Sequence, residues 1–397
     1  MNTRSLSLLI SCLVVPYHAV GQTWKNECVG YYQLQLPDNL EVALYPIRDF
    51  IDPRTRKQPG SNGKIQTRRY ADVGITFNKT YRKQEAGTVQ AQFSENYYDD
   101  YELGVSSENN IPIEFSKYQE TVKNNKDSGV NRARQFEKEE FRILNKPITS
   151  DADFDRIHGY IIKAYPNAFS LYERRAYTLY INQENRLYHF WRKFEKDKGD
   201  KSQTAEKQLR DSEPEVLSLL NRFRPRKLYE VPAEQGFCMP YGFIAGDSGQ
   251  EERNIGVTYR LKDHPDVTIF FQDLGMEPGA GFQRPENETA KEFVTYLWNK
   301  KYQWSAVSKE LISPKWRTIE MAGRKGLGTF AKSVFEDGAV DYGYVAYVRG
   351  NHKARNVEPD LLLYVMQYGE QAKGQPPMDK DELEKMAEHI VSSVKRR

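Results

Sequence analysis

Long apolar runs, histidines and unbalanced charge are all in short supply in this chain. Its longest apolar stretch, Leu6 to Val15, is about half of the roughly 20 residues a membrane-spanning helix needs, so no stable membrane span is expected. Basic residues number 58 against 55 acidic ones, and the net charge of +3 provides no long-range field to attract a polyanion. The basic clusters 221-NRFRPRK-227 and 395-KRR-397 are therefore read as a solvated linker and tail, and no nucleic-acid partner is expected. There is no G-x-S-x-G nucleophile elbow and no H-E-x-x-H helix. Cys28 and Cys238 have no second metal ligand close in sequence, so neither a metal nor another cofactor is expected.

The stretch 246-GDSG-249 matches the letters around the nucleophile of chymotrypsin-like proteases. A serine becomes nucleophilic only when a histidine accepts its proton and a carboxylate orients that histidine. The histidines that precede Ser248 after residue 21 are His158, on a predicted helix, and His189, inside a predicted hairpin. Neither has the sequence context of a triad base, and Gly-Asp-Ser-Gly is equally a turn composition, because glycine permits positive φ and Asp and Ser cap a bend. Ser248 is read as part of a turn. Gly323, Gly326 and Gly328 also read as a turn, since an extended-looking 329-TFAKSVF-335 follows where a phosphate loop needs a helix N-terminus.

What is present begins with an export signal. Arg4, the apolar run, the helix-breaking Pro16 and small residues at Ala19 and Gly21 predict a signal peptide over 1–21, cleaved before Gln22. An alternative reading takes Leu9-Ile10-Ser11-Cys12 as a lipoprotein box with a lipid on Cys12. Either route leaves Cys28 and Cys238 to meet an oxidising compartment. They are either a disulfide, whose long loop would contribute roughly 5 kcal/mol, or two separate buried thiols.

Periodicity divides the remainder. Strands are predicted at 31–36, 41–45, 71–77 and 88–94, followed by a helix capped by Ser150 with Phe154, Ile157, Ile161 and Ala164 on one face. A hairpin of 176–181 and 186–191 comes next, then a helix with Ser212 and Glu215 as its capping box. The segment 224-RPRKLYEVPAEQG-236 has linker composition and separates a domain 22–230 from a domain 236–397. Beyond it, strands are expected near 241–246, 254–261, 267–272, 316–321, 328–335, 342–348 and 361–368. Helices are expected over 288–299 and after Asp379. The order predicts an α+β fold of two domains, each a largely antiparallel sheet with a few packed helices.

Three of the 26 tyrosines fall close together in 96-NYYDDYELG-104. Tyr97, Tyr98 and Tyr101 stand there beside Asp99, Asp100 and Glu102 without apolar periodicity, which suggests an exposed loop that binds a protein partner through tyrosine area and acidic steering. The competing reading packs these rings back onto the sheet.

The segments 27-ECVGYYQLQLPDNLEVALYPI-47 and 236-GFCMPYGFIAGDSGQEERNIGVTYRLKDHPDVTIFF-271 resemble the two domain-opening segments of bacterial immunity proteins that neutralise type VI secretion phospholipase effectors. The resemblance implies a periplasmic, non-catalytic inhibitor whose two α+β domains grip a cognate lipase effector as a heterodimer. No contact residue carries over from it. An envelope scaffold protein, or an exported hydrolase with a site assembled from scattered residues, fits the same composition.

Overall fold

The computed structural model describes residues 23–44, 96–108, 114–194, 202–276, 287–300, 306–372 and 374–397. The predicted signal segment with Cys12 and the predicted strands 71–77 and 88–94 lie outside them. The first half supplies β1 (Trp24–Val29), β2 (Tyr32–Pro37), β3 (Leu40–Val42), β4 (Asn96–Tyr98) and β5 (Tyr101–Val105), then α1 (Phe115–Leu144) and α2 (Asp151–His158). A meander of β6 (Tyr160–Tyr165), β7 (Ala168–Glu173), β8 (Ala176–Gln183) and β9 (Arg186–Lys193) follows, with α3 (Ala205–Arg222) and β10 (Phe223–Pro225) behind it. The second half runs through β11 (Gly236–Met239), β12 (Gly242–Ala245), β13 (Arg253–Leu261), β14 (Val267–Leu274) and α4 (Ala290–Lys300). It ends with β15 (Ser308–Leu311), β16 (Arg317–Met321), β17 (Arg324–Val334), β18 (Val340–Val348), β19 (Asp360–Gln367), α5 (Lys380–Ser393) and β20 (Lys395–Arg396).

Pairing is antiparallel throughout the described strands, in keeping with the predicted α+β class. One fourteen-stranded sheet has the order β15-β17-β18-β19-β14-β13-β4-β5-β9-β8-β7-β6, with β16 added on β17 and β3 on β13. It therefore passes without interruption from one side of the segment 226–235 to the other. The joint is β4 on β13, where Tyr98 opposes Arg253 and Tyr97 opposes Asn254. Two small sheets, β1-β2-β20 and β10-β12-β11, cover this joint.

The middle of the large sheet is buried on both faces, every residue of β14 and β19 being buried, which is why β19 reads as an unbroken apolar run from Leu361 to Met366. Alternation by two sends Phe270, Tyr364 and Met366 towards Phe293, Leu297 and Trp298 of α4. The intervening Ile269, Phe271, Leu363 and Val365 join the cluster holding Leu383, Met386 and Ile390 of α5. Both helices begin at side-chain caps. Thr289 Oγ1 accepts from Glu292 N at 3.1 Å while Glu292 Oε2 accepts from Thr289 N at 2.7 Å. Asp379 Oδ1 accepts from Asp381 N at 2.8 Å.

Two helix expectations need correction, and a third helix was not expected. The helix capped by Ser150 ends at His158, and Ile161 and Ala164 belong to β6. Gly159 is already extended there, at φ −61° and ψ 150°, and the β-branched Ile161 and Ile162 continue as strand. The next helix starts two turns before Ser212, because Thr204 caps it by accepting from Lys207 N at 3.1 Å. Pro214 therefore lies inside it. The 30-residue α1 was not anticipated: its only buried side chains are Tyr118 and Val122, so it carries no apolar stripe to read.

Candidate functional site

The two segments that open the halves of the chain meet. Cys28 at the end of β1 and Cys238 in β11 form a disulfide, and both are fully buried. The backbones pair beside it, Gly30 N donating to Cys238 O at 2.8 Å and Cys238 N to Gly30 O at 3.0 Å. Gly30 has φ +59°, and a β-carbon there would stand 2.3 Å from Asp273 Oδ2, so glycine is needed on both counts. Asp273 uses that oxygen to accept from Tyr31 N at 3.1 Å and from Arg253 Nε at 2.8 Å.

A second tie is ionic. Arg226 Nη2 lies 2.7 Å from Glu27 Oε1, and neither side chain reaches water. The guanidinium also donates to Cys28 O at 3.0 Å, Met239 O at 3.2 Å and Glu230 O at 3.1 Å. Glu27 accepts in turn from Cys28 N at 2.8 Å and Tyr229 N at 2.6 Å. A charge pair without solvent persists only with such complete hydrogen bonding. Arg226 is thus no solvated linker residue. The 395-KRR-397 tail is likewise built in: Arg397 N donates to Tyr31 O at 3.0 Å, and its Nη1 to Cys238 Sγ at 2.9 Å.

The Gly-Asp-Ser-Gly stretch is the turn between β12 and β13. Gly246 and Gly249 take φ +69° and +73°, and Ser248 Oγ accepts from Gln250 N at 3.1 Å. Its aspartate faces inward. Asp247 Oδ2 is 2.7 Å from the hydroxyl of Tyr31 and 3.0 Å from that of Tyr98, and Glu251 Oε2 is 2.6 Å from the Tyr31 hydroxyl. Tyr31 has one proton for two carboxylates. Burial pushes Asp247 above the usual carboxylate range. Burial also acts upward on Glu251, but the Tyr31 hydroxyl and the Ser248 N–H more than offset it and leave that group low. Burial, reinforced by these acids, drives the Tyr31 and Tyr98 phenols far up, so both stay neutral donors.

This network changes the reading of residues 96–104, which form the β4–β5 hairpin rather than a loop. Tyr98 and Tyr101 are each only 2% exposed, so they are not available to a partner on a free surface. Tyr98 packs on Phe237 with ring centroids 4.6 Å apart. The Tyr101 hydroxyl is 2.6 Å from both Tyr177 Oη and Glu215 Oε1. Tertiary burial overrode the local acidity of the stretch. Asp99 and Asp100 form the exposed hairpin turn, Asp99 at φ +50°, and Tyr97 and Glu102 are half-buried on either side of it. Arg192 pairs with Asp100 and Glu215 beneath the turn.

Elsewhere the molecule offers an open groove of about 400 Å³ between β16 and α5, lined by Arg317, Ile319, Tyr344 and Glu388. Arg317 is held there by Glu384 at 2.5 Å and Glu388 at 3.0 Å. Among the described residues no group of three or more His, Cys, Asp or Glu is placed to hold a metal ion, and no helix is long and apolar enough to cross a membrane. The Glu27–Arg226 pair and the Asp247–Tyr31–Tyr98 network were not foreseen. The only local signal for them was charge and hydroxyl placed next to the two cysteine segments.

Residues 230–397 match the family described as Tle cognate immunity protein 4 C-terminal domain. Among curated proteins none matches the chain in sequence. Its fold is similar to that of the apo immunity protein TplEi of the type VI secretion system of Pseudomonas aeruginosa, with TM-score 0.50 and 16% identity over 94% of this chain and 97% of that one. TplEi complexed with an "L" peptide gives 0.51 and 14% over 94% and 98%, and the Tle4-Tli4 complex gives 0.51 and 16% over 94% and 97%. The family match covers residues 230–397 only, whereas the likeness of fold runs through nearly the whole chain.

Proposed function

We propose that this chain is an immunity protein that binds and blocks a cognate type VI secretion phospholipase effector in the periplasm, without turnover of its own. The observation that carries this reading is the family match over residues 230–397. A fold similar over nearly the whole length to immunity proteins, one of them solved as the Tle4-Tli4 complex, supports it further.

The cross-ties suit an inhibitor. A disulfide, a buried ion pair and a shared sheet hold the two halves in one arrangement before the partner arrives, so little ordering entropy is spent on binding. Such a body clamped over a lipase would favour the lid-closed state, and would inhibit by its differential affinity for that state. The hairpin turn at Asp99 and Asp100 is one candidate contact, through its charge.

The test is a titration of a candidate cognate phospholipase, sought in the adjacent reading frame, with the purified, oxidised protein. Hydrolysis of phosphatidylethanolamine vesicles should fall to background near equimolar protein. Undiminished hydrolysis at a tenfold excess, with no complex on size exclusion, would overturn the reading. Ester hydrolysis by the chain alone would replace it with a hydrolase.

A further inference from the structure

The Tyr31 hydroxyl stands between two acids, 2.7 Å from Asp247 Oδ2 and 2.6 Å from Glu251 Oε2. Two carboxylates held on one oxygen repel each other when both are ionised, which favours a proton on one of them. A phenol has a single proton to give. With both acids ionised it satisfies one and turns a lone pair on the other at hydrogen-bond distance. With a proton on Asp247 Oδ2, every contact has a donor. Arg222 Nη1 then gives to the Tyr98 hydroxyl at 3.4 Å, Tyr98 to Asp247 at 3.0 Å, Asp247 to Tyr31, and Tyr31 to Glu251. Glu251 is the fitting end of that chain, because its oxygens also accept from Ser248 N at 2.8 Å and Gln250 N at 3.1 Å. Asp247 has one backbone donor, Gly249 N at 3.1 Å, and it serves the other oxygen.

The cations around the pair are engaged elsewhere. Arg253 of β13 lies over the Tyr31 ring at 4.7 Å but is paired with Asp273. Arg396 donates to Gly249 O and Val357 O, and Arg397 to Pro232 O, Glu234 O and Cys238 Sγ. Arg222 and Arg397 act on Asp247 through their charge, without an ion pair to it, and Asp99 of the hairpin turn adds a further negative charge facing Glu251. Phe237 of β11 packs on both Tyr31 and Tyr98. Burial, with the Glu251 charge behind it, holds Asp247 up against the bonds from the two phenols.

These groups come from the turn between β1 and β2, from β4, from the end of α3 and from the turn between β12 and β13. The last of these turns also receives Arg396, and beside it Asp99 N donates to Glu252 O at 2.7 Å. Loosening 246–251 therefore loosens the joint of β4 on β13.

We propose that Asp247 and Glu251 hold one proton between them, and that this proton latches the turn 246–251 onto Tyr31 and Tyr98 as a pH-sensitive fastening of the joint between the two halves. The proposal stands apart from the immunity reading. When the proton leaves, Tyr31 serves Glu251 alone, and a second anion remains in a half-buried turn. The folded chain keeps a proton that the unfolded chain has given up, so the stabilisation is complete at low pH and is lost as pH rises above the ordinary carboxylate range.

The experiment follows urea unfolding of wild type and Asp247→Asn from pH 4 to pH 8. Asp341 is common to both chains and drops out of the difference. As pH rises, the folding constant of wild type should fall by roughly threefold or more relative to the variant. In a Glu251→Gln background, where one acid has Tyr31 to itself, the same substitution should show a clearly smaller pH dependence. A difference that is constant with pH, or that runs the other way, overturns the proposal. Equal dependence in the Glu251→Gln background also overturns it, because burial of Asp247 would then be the whole cause. Amide exchange of wild type decides the matter even where a substitution fails to fold. Protection of 246–252, corrected for the intrinsic rate at each pH, should fall by roughly threefold or more between pH 5 and pH 8, and constant protection removes the latch.

Discussion

The carboxylate of Glu27 and the guanidinium of Arg226 meet at 2.7 Å with water excluded from both, and between them they bond to β1, to β11–β12 and to the segment joining the two halves. Removing one partner strands the other as a buried charge. Arg226→Met should therefore lose about 3–5 kcal/mol of unfolding free energy in urea. The double variant Glu27→Leu, Arg226→Met should lose less than the two single changes added together. Strict additivity would show that the pair is not coupled in the folded protein.

The disulfide spans 210 residues of sequence, a loop long enough for its closure to restrict the unfolded chain strongly. Cys28→Ser, Cys238→Ser should be less stable by about 3–5 kcal/mol in guanidinium. A buried bond should also be slow to reduce, with dithiothreitol acting on the native protein only at the rate of local opening. Rapid reduction under native conditions would contradict its burial.

The last two residues are predicted to matter beyond their position. Arg396 Nη2 donates to Gly249 O at 2.8 Å, and Arg397 Nη2 to Glu234 O at 3.0 Å and to Pro232 O. Deleting both should lower stability by about 2 kcal/mol or more. Because the acceptors are neutral carbonyls, 0.5 M sodium chloride should change that loss little. A thermal midpoint unaffected by the deletion would return the tail to solvent.

Asp341 on β18 is raised to about 6 by burial, with Glu370, Asp266 and Asp337 adding like charge and the Gly369 N–H partly countering them. A carboxylate raised in the folded state destabilises above that value, and the cost disappears as pH falls through 6 towards the unfolded carboxylate range. Asp341→Asn keeps an acceptor for Gly369 N, 2.8 Å away, and removes the charge. It should gain on the order of 1 kcal/mol at pH 7.5, about 2–3 °C in midpoint, and nothing at pH 4. A gain independent of pH would point to packing instead.

The legible parts of the fold were those where burial repeats at short range. The 361-LLLYVM-366 run, the hairpin of β8 and β9 with Glu184 and Asn185 both at positive φ, and the Asp379 cap of α5 all announce themselves locally. The helix α1 does not, since only Tyr118 and Val122 of its side chains are buried. Nor does the joint of β4 on β13, whose partners are brought together by packing rather than by any local pattern. Tyr98 and Tyr101 illustrate the limit: their acidic neighbours suggest solvent, but a distant Asp247, Tyr177 and Glu215 decide their place. The two cysteine segments were legible because both ends of that contact carry the same rare residue.

The small sheet β1-β2-β20 places the final strand of the chain, Gln33 opposite Lys395, against one of its earliest. That sheet can close only once residues 395–396 are available, and β4 must wait for β13 in the same way. Long-range pairing of this kind makes assembly late and comparatively slow. Until Lys395 and Arg396 are in place, β2 keeps one edge unpaired, an open strand edge that is covered late in folding.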